Sequence, residues 1–109
     1  MPMVEIIRLR SVGAGQSDVL ILLESHLEQC SLPEHLSSME IYGHANLEGD
    51  ISIHLIWEVP EHIRWRSPMG IFLEEWLREF GVTHSNTWCL RRRLGHLSQR
   101  QPHARRDLP

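Results

Sequence analysis

The feature that most constrains the fold is a pair of alternating apolar and polar runs on either side of a short glycine-containing turn. The two runs lie between Met39 and Glu58, and Glu48-Gly49-Asp50 separates them. Alternation with a period of two is typical of a half-buried strand, and a turn of this composition joins antiparallel strands. The centre of the chain therefore predicts a β-hairpin.

The same pattern predicts how the two strands of the hairpin pair. A three-residue loop places Ile41 opposite Trp57 and keeps one face of the hairpin apolar or small. It also places His44 opposite His54 on the other face, close enough to share a proton or a metal ion. That second face is predicted to hold Glu40, Tyr42, His44, Asn46, Ser52, His54, Ile56 and Glu58.

Helical periodicity replaces the strand pattern on both sides of the hairpin. Ser17 is the expected N-cap of a first helix that ends before Pro33, and Ser67-Pro68 is a strong start signal for a second helix. Gly81 stands where a left-handed C-terminal cap of the second helix belongs. The predicted buried stripe of the first helix is Leu20, Leu23, Leu27 and Cys30, widened by Val19 and Leu22. That of the second helix is Met69, Phe72, Leu73, Trp76, Leu77 and Phe80, with Glu74, Glu75, Arg78 and Glu79 on the outer side.

Two further strands complete the predicted order of elements. Val4 to Arg10 is short and rich in β-branched residues, and Thr83 to Arg91 is a more polar candidate. The order β-α-β-β-α-β predicts an α+β domain of the ferredoxin-like split β-α-β type, with a four-stranded antiparallel sheet and both helices on one face. We expect residues 1–91 to form this domain and residues 92–109 to be a disordered basic tail.

Length and composition limit the class of protein. A chain of 109 residues has room for one core, and no apolar run approaches the roughly 18 residues of a membrane span. No export signal is visible at the N-terminus, so the expected location is the cytoplasm. Cys30 and Cys89 stand far apart and outside any metal-binding spacing, so we expect reduced thiols in the core and no zinc cluster.

Charge is unevenly distributed along the chain. Residues 1–90 carry five Arg against 13 acidic residues, whereas residues 91–109 carry six Arg against Asp107. A basic tail is able to contact nucleic acid phosphates, but the acidic body and the absence of aromatic residues after Trp88 argue against a nucleic-acid adaptor. We expect a solvated tail and no nucleic-acid partner.

The predicted architecture leaves one face of the sheet without a covering helix. Two helices cover only one side of a four-stranded sheet, so the other side is wet or is covered by something else. A mixture of apolar and polar groups there suits a homodimer interface or a half-enclosed pocket. The face is predicted to hold Tyr42, His44, His54 and Ile56, together with either Val4, Ile6 and Arg8 or Ile7 and Leu9 of the first strand.

The segment that follows the hairpin carries a resemblance to a known superfamily. Trp57 ends the predicted strand, a Glu follows, and Trp65 precedes the Ser67-Pro68 helix start. Together with the strand order, this arrangement resembles the dimeric α/β-barrel superfamily, and in particular its antibiotic-biosynthesis-monooxygenase-like branch. The resemblance implies a homodimer in which two sheets pack face to face around a small cavity.

The chain departs from that branch at positions that bear on chemistry. Trp65 stands where members often have His, and its spacing from Trp57 is shorter. The first strand has no Asn, and the second helix offers Glu75 and Trp76 where a His of the haem-degrading relatives would be expected. The resemblance therefore argues against haem oxygenation and implies no cofactor, while cofactor-independent oxidation of a small aromatic compound stays open.

The candidates for a ligand site in the cavity are Tyr42, His44, His54 and Trp65. No third or fourth metal ligand at a fixed spacing accompanies His44 and His54, so we expect no metal site. The leading interpretation is a small cytoplasmic homodimer with a ligand-binding or accessory role. The alternative is a cofactor-independent monooxygenase that acts on a small aromatic substrate.

Overall fold

The computed structural model describes residues 2–11, 16–60 and 66–95, except for the side chains of residues 16 and 17. The order of elements confirms the predicted β-α-β-β-α-β sequence, although α1 begins before the predicted Ser17 cap and β4 ends earlier than predicted. The elements are β1 (Pro2–Ser11), α1 (Gln16–Glu28), β2 (Leu36–Gly43), β3 (Asp50–Glu58), α2 (Pro68–Leu77), a short 3-10 turn (Arg78–Phe80) and β4 (Gly81–Cys89).

Within the described residues, the four strands form one antiparallel sheet in the order β2-β3-β1-β4. β1 lies in the interior of the sheet, where Ile7 pairs with Ile53 of β3 on one side and with Ser85 of β4 on the other. A first strand flanked by the third and fourth strands is the arrangement of the split β-α-β motif. The α+β class is therefore confirmed, and the topology is consistent with a ferredoxin-like fold.

The hydrophobic core lies between one face of the sheet and the two helices. Strand side chains alternate between the faces, so every second residue of β1 and β3 points into this layer. Val19 and Leu23 of α1 and Leu73 and Leu77 of α2 are buried in the same cluster, so both helices cover the same face. The strand residues of the cluster are Met3, Ile7, Leu9, Ile51, Ile53, Leu55 and Trp57.

Glu5 interrupts the apolar stripe of β1 on the core side. It is only 3% exposed, and its carboxylate accepts hydrogen bonds from Trp57 Nε1 (2.8 Å), from the Ser67 backbone N–H (3.0 Å) and from the Ser67 hydroxyl. The Ser67 Oγ accepts in turn from the Gly70 N–H (2.9 Å), which confirms Ser67 as the N-cap of α2. A Cβ at Gly70 would collide with the Glu5 carboxylate. These contacts join β1, β3 and the start of α2.

The register of the hairpin differs from the prediction. Ile41 pairs with Ile53 rather than with Trp57, and His44 lies beyond the end of β2 rather than opposite His54. The predicted alternation survives, because Ile41 still lies on the core side of the sheet. The prediction of faces was therefore right for the residues that form β2 and β3, but it was wrong for Leu47, which lies in the loop and is exposed. The prediction of pairing was wrong.

The loop of residues 44–49 explains the different register. The His44 backbone N–H donates to the Asp50 carbonyl (2.9 Å), while the His44 Nδ1 accepts from the N–H groups of Asn46 and Leu47, each at 3.0 Å. Gly49 has a φ of 96°, a left-handed conformation that favours glycine. Local hydrogen bonds to one side chain thus stabilise a loop longer than the predicted three residues.

The end and the outer side of α2 also differ from the prediction. Gly81 is not a left-handed helix cap but the first residue of β4, and glycine is required there because a Cβ would collide with the Arg10 carbonyl oxygen. Glu74 is buried rather than solvated, and its Oε1 accepts from Arg66 (2.6 Å) and Arg78 (3.5 Å). Two arginines therefore compensate a carboxylate that the helical pattern assigned to solvent.

Aromatic rings form the seam between the two helices. The His26 ring of α1 stacks on Phe72 (5.2 Å between ring centroids) and on Trp76 (5.6 Å) of α2. Phe72 of α2 and Leu22 of α1, both predicted in the buried stripes, are exposed. The stripe of α2 therefore faces partly toward α1 and not only toward the sheet.

Two predictions concern residues outside the described part of the chain. They are the Trp65 site and the disorder of the basic tail from residue 96 onward, and both stay predictions. Residues 91–95 are exposed. Cys89 is exposed as well and Cys30 is only partly buried, so the prediction of two core thiols is wrong. Neither helix in the described part of the chain is long and apolar enough to cross a membrane.

Replacing Glu5 tests whether its hydrogen bonds hold the sheet and α2 together. Glu5→Ala leaves buried donors of Trp57 and Ser67 without their acceptor, and each such group costs roughly 1–3 kcal/mol. We expect the free energy of unfolding, measured by urea denaturation with tryptophan fluorescence, to fall by about 3 kcal/mol or more. Glu5→Gln keeps an acceptor oxygen and should lose less.

Glu75→Ala is the matched control for this measurement, because Glu75 is exposed on α2. Its free energy of unfolding should stay within about 0.5 kcal/mol of the wild-type value. Equal losses in Glu5→Ala and in this control would contradict a role for the buried carboxylate.

Candidate ligand-binding site on the open sheet face

The side of the sheet opposite the helices forms a second surface, which we call the open face. Ile7 and Leu9 point into the core, so β1 presents Val4, Ile6 and Arg8 here and one of the two predicted alternatives is confirmed. No described helix lies on this side. The open face includes Ser38, Glu40 and Tyr42 of β2, Asp50, Ser52, His54 and Ile56 of β3, Val4, Ile6, Arg8 and Arg10 of β1, and Val82, His84, Asn86 and Trp88 of β4.

Cross-strand pairing sorts these side chains into rows, and one row is apolar. Val4 pairs with Ile56 of β3 on one side and with Trp88 of β4 on the other. Trp88 is 58% exposed, an unusual position for a large aromatic side chain in a strand. This end of the open face therefore presents apolar surface to its surroundings.

A row at the other end of the open face is polar. Arg8 pairs with Ser52 and His84, and Tyr42 extends the row beyond Ser52. Side chains directly opposite each other in a sheet lie within about 5.5 Å at Cβ, so these groups share one surface. Polarity thus changes along the strands from one end of the open face to the other.

A cleft of about 710 Å³ lies at the polar end. Its volume falls within the roughly 300–1,000 Å³ of small-molecule sites. Strands β1 to β4 and the hairpin loop all contribute to its walls. The residues that matter for its chemistry are Arg8, Tyr42, His44, Leu47, Val82 and His84.

Tyr42 contributes an aromatic ring to the cleft with its hydroxyl group already bound. The hydroxyl donates to Glu40 Oε1 (3.0 Å), and the ring centroid lies 4.7 Å from that of His54. The hydrogen bond to Glu40, together with the negative charge of that carboxylate, raises the pKa of Tyr42 above its ordinary value. The phenol therefore stays protonated and offers a ring, not a phenolate, to the cleft.

The two histidine candidates occupy different places. His44 lies in the hairpin loop at the cleft wall, and because its Nδ1 accepts two backbone N–H groups, the proton of the neutral ring is assigned to Nε2. His54 lies on β3 opposite Glu40, with its Nε2 3.0 Å from the Ser52 Oγ. The predicted His44–His54 pair is therefore wrong, and the His54 ring instead contacts the Tyr42 ring.

Arg8 and His84 line the cleft although neither is a predicted site residue. Arg8 is exposed and makes no hydrogen bond or ion pair with a described residue, whereas Arg10 pairs with Asp50 (3.6 Å). The alternation of β1 was a signal for Arg8, since an inward Ile7 requires an outward Arg8. No local pattern indicated that His84, from a distant strand, would pair with it.

Trp65, the remaining predicted site residue, lies outside the described residues. Over residues 2–11, 16–60 and 66–95, no group of three or more His, Cys, Asp and Glu side chains is arranged to hold a metal ion. The described cleft offers a guanidinium, imidazole N–H groups and an aromatic ring. This arrangement is suited to binding and orienting an organic molecule.

Titration of the Tyr42 phenol tests the hydrogen bond from its hydroxyl to Glu40 at the edge of the cleft. Tyr42 is the only tyrosine of the chain, so ultraviolet difference absorbance reports its ionisation alone. Glu40→Gln removes the carboxylate that favours the protonated phenol, and the pKa of Tyr42 should fall toward its ordinary value. Glu28→Gln, at the end of α1, should leave the titration unchanged. An unaltered titration in Glu40→Gln would show that the hydrogen bond does not form in solution.

Comparison with known proteins does not assign the chain to a family. No protein-family model, curated protein or solved structure matches it. The geometry of the open face and the residues that form it are therefore the evidence on function.

Proposed function

We propose that the protein is a small cytoplasmic homodimer with a binding or accessory role, and that it holds a small aromatic ligand on the open face. The observation that carries this proposal is the division of that face. One end is an apolar row that includes an exposed tryptophan, and the other end is a cleft of about 710 Å³ that brings Arg8, Tyr42 and two histidines together with the apolar side chains of Leu47 and Val82.

A second copy of the chain is the proposed partner of the apolar end. A two-fold interface brings the same patch of each subunit together, so the row of Val4, Ile56 and Trp88 would meet its own copy. Tryptophan is among the residues that contribute most to interface stability. The resemblance of the Trp57 to Pro68 segment to the dimeric α/β-barrel superfamily supports the same pairing of sheets.

The polar end is the proposed ligand site. If two open faces paired, the second subunit would cover the cleft and reduce its contact with water. Small-molecule sites usually bury most of the ligand's surface in this way. Tyr42 supplies a ring for stacking, and His44 supplies an Nε2–H donor at the wall. A flat ligand with a polar substituent would stack on the Tyr42 ring and accept a hydrogen bond from the His44 Nε2–H.

A cofactor-independent monooxygenase is the second candidate function. Its support is the contact of the Tyr42 and His54 rings beside the cleft, where an aromatic substrate would lie. Both polar groups already have partners, since Tyr42 donates to Glu40 and the His54 Nε2 bonds with Ser52. Binding is therefore the role we favour over oxidation.

Trp88→Asp tests the proposed dimer, with the dissociation constant measured by analytical ultracentrifugation. We expect the wild type to be a dimer and the dissociation constant of Trp88→Asp to rise by about thirtyfold or more, since an anchoring tryptophan contributes about 2 kcal/mol or more. Native mass spectrometry of the same samples reports the subunit count and any retained ligand.

Ile21→Asp is the matched control for the dimer. Ile21 is 62% exposed, close to the value for Trp88, but it lies on α1 and not on the open face. This substitution should leave the dissociation constant unchanged. A monomeric wild-type protein, or equal weakening by the two substitutions, would refute pairing through the open face.

A further inference from the structure

We propose that the ligand of the cleft carries a carboxylate and that Arg8 binds this group. The inference rests on the proposed binding function and adds the charge of the ligand to it. The ligand class becomes a small aromatic acid rather than a neutral aromatic compound.

The cleft is basic although the body of the protein is acidic. Residues 1–90 carry five Arg against 13 acidic residues, yet Arg8 and Arg10 both line the cleft, together with His44 and His84. The acidic group of the lining is Asp50, and its carboxylate lies 3.6 Å from the Arg10 Nε. The cleft therefore keeps one positive charge that the described lining does not neutralise.

Arg8 provides that charge in a form suited to a carboxylate. It contacts no acid among the described residues, and a guanidinium offers two parallel N–H donors that match the two oxygens of a carboxylate. The other arginines described within residues 2–90 have acidic partners: Arg10 with Asp50, and Arg66 and Arg78 with Glu74.

The groups around Arg8 suit the ring of an aromatic acid. The Tyr42 hydroxyl is held by Glu40, so Tyr42 offers its ring to the cleft. Leu47 and Val82 add exposed apolar surface to the walls. A flat acid is thus able to place its ring against these side chains while its carboxylate reaches Arg8.

Calorimetric titration of the full chain with benzoate and with benzamide tests the inference. The two compounds have nearly the same shape and differ in charge. We expect the wild type to bind benzoate at least about tenfold more tightly than benzamide, as a charge-assisted bidentate contact requires. Arg8→Gln should abolish this preference, and Arg8→Lys, which keeps the charge but not the paired donors, should retain part of it.

Arg91→Gln is the control, because Arg91 is exposed and lies beyond the end of β4. It should keep the full preference for benzoate. Loss of the preference in Arg8→Gln, with wild-type melting temperature and subunit count, supports the inference. A preference that persists in Arg8→Gln overturns the role of Arg8.

The two remaining outcomes separate this inference from the function on which it rests. If the wild type binds benzoate and benzamide equally, the inference that the ligand carries a carboxylate is wrong, but the proposed binding function stands. Binding of neither compound overturns both.

Discussion

The carboxylate of Glu5 lies in the core, where a polar group without hydrogen-bond partners is costly. Its donors come from Trp57 at the end of β3 and from Ser67 at the start of α2, so satisfying this one group fixes three elements relative to each other. Gly70 completes the arrangement by leaving room for the carboxylate against the helix. Apolar packing surrounds this junction, but hydrophobic contact is not directional, whereas these hydrogen bonds are.

An inward Glu5 also determines what the open face contains. Because side chains alternate along a strand, Val4, Ile6 and Arg8 must point away from the helices, and a slip of one residue would exchange the two faces. β1 pairs with β3 on one side and with β4 on the other, so each of these three residues has a cross-strand neighbour on both sides and forms a row with them. The apolar end that we propose for the second subunit and the basic cleft that we propose for the ligand thus follow from the same alternation.

Local signals made the order of elements, the Ser67 cap and the alternation of the hairpin predictable, since each depends on residues close in sequence. The register of the hairpin depended on hydrogen bonds from the His44 ring to its own loop, which a count of loop residues does not reveal. Glu5 and Ser67 are 62 residues apart, and nothing in a single strand pattern indicates that an acid belongs in the core. The pairing of Arg8 with His84 depends equally on the order of distant strands.

The central claim is that the open face, and not the helix layer, is the functional surface. An amide chemical-shift map of the isotope-labelled full chain during titration with benzoate measures this directly. The account predicts that the largest shifts cluster at Arg8, Tyr42, His44 and His84, with little change in α1. Shifts concentrated at helix residues such as Ile21 and Phe72, with the strands unaffected, would contradict it.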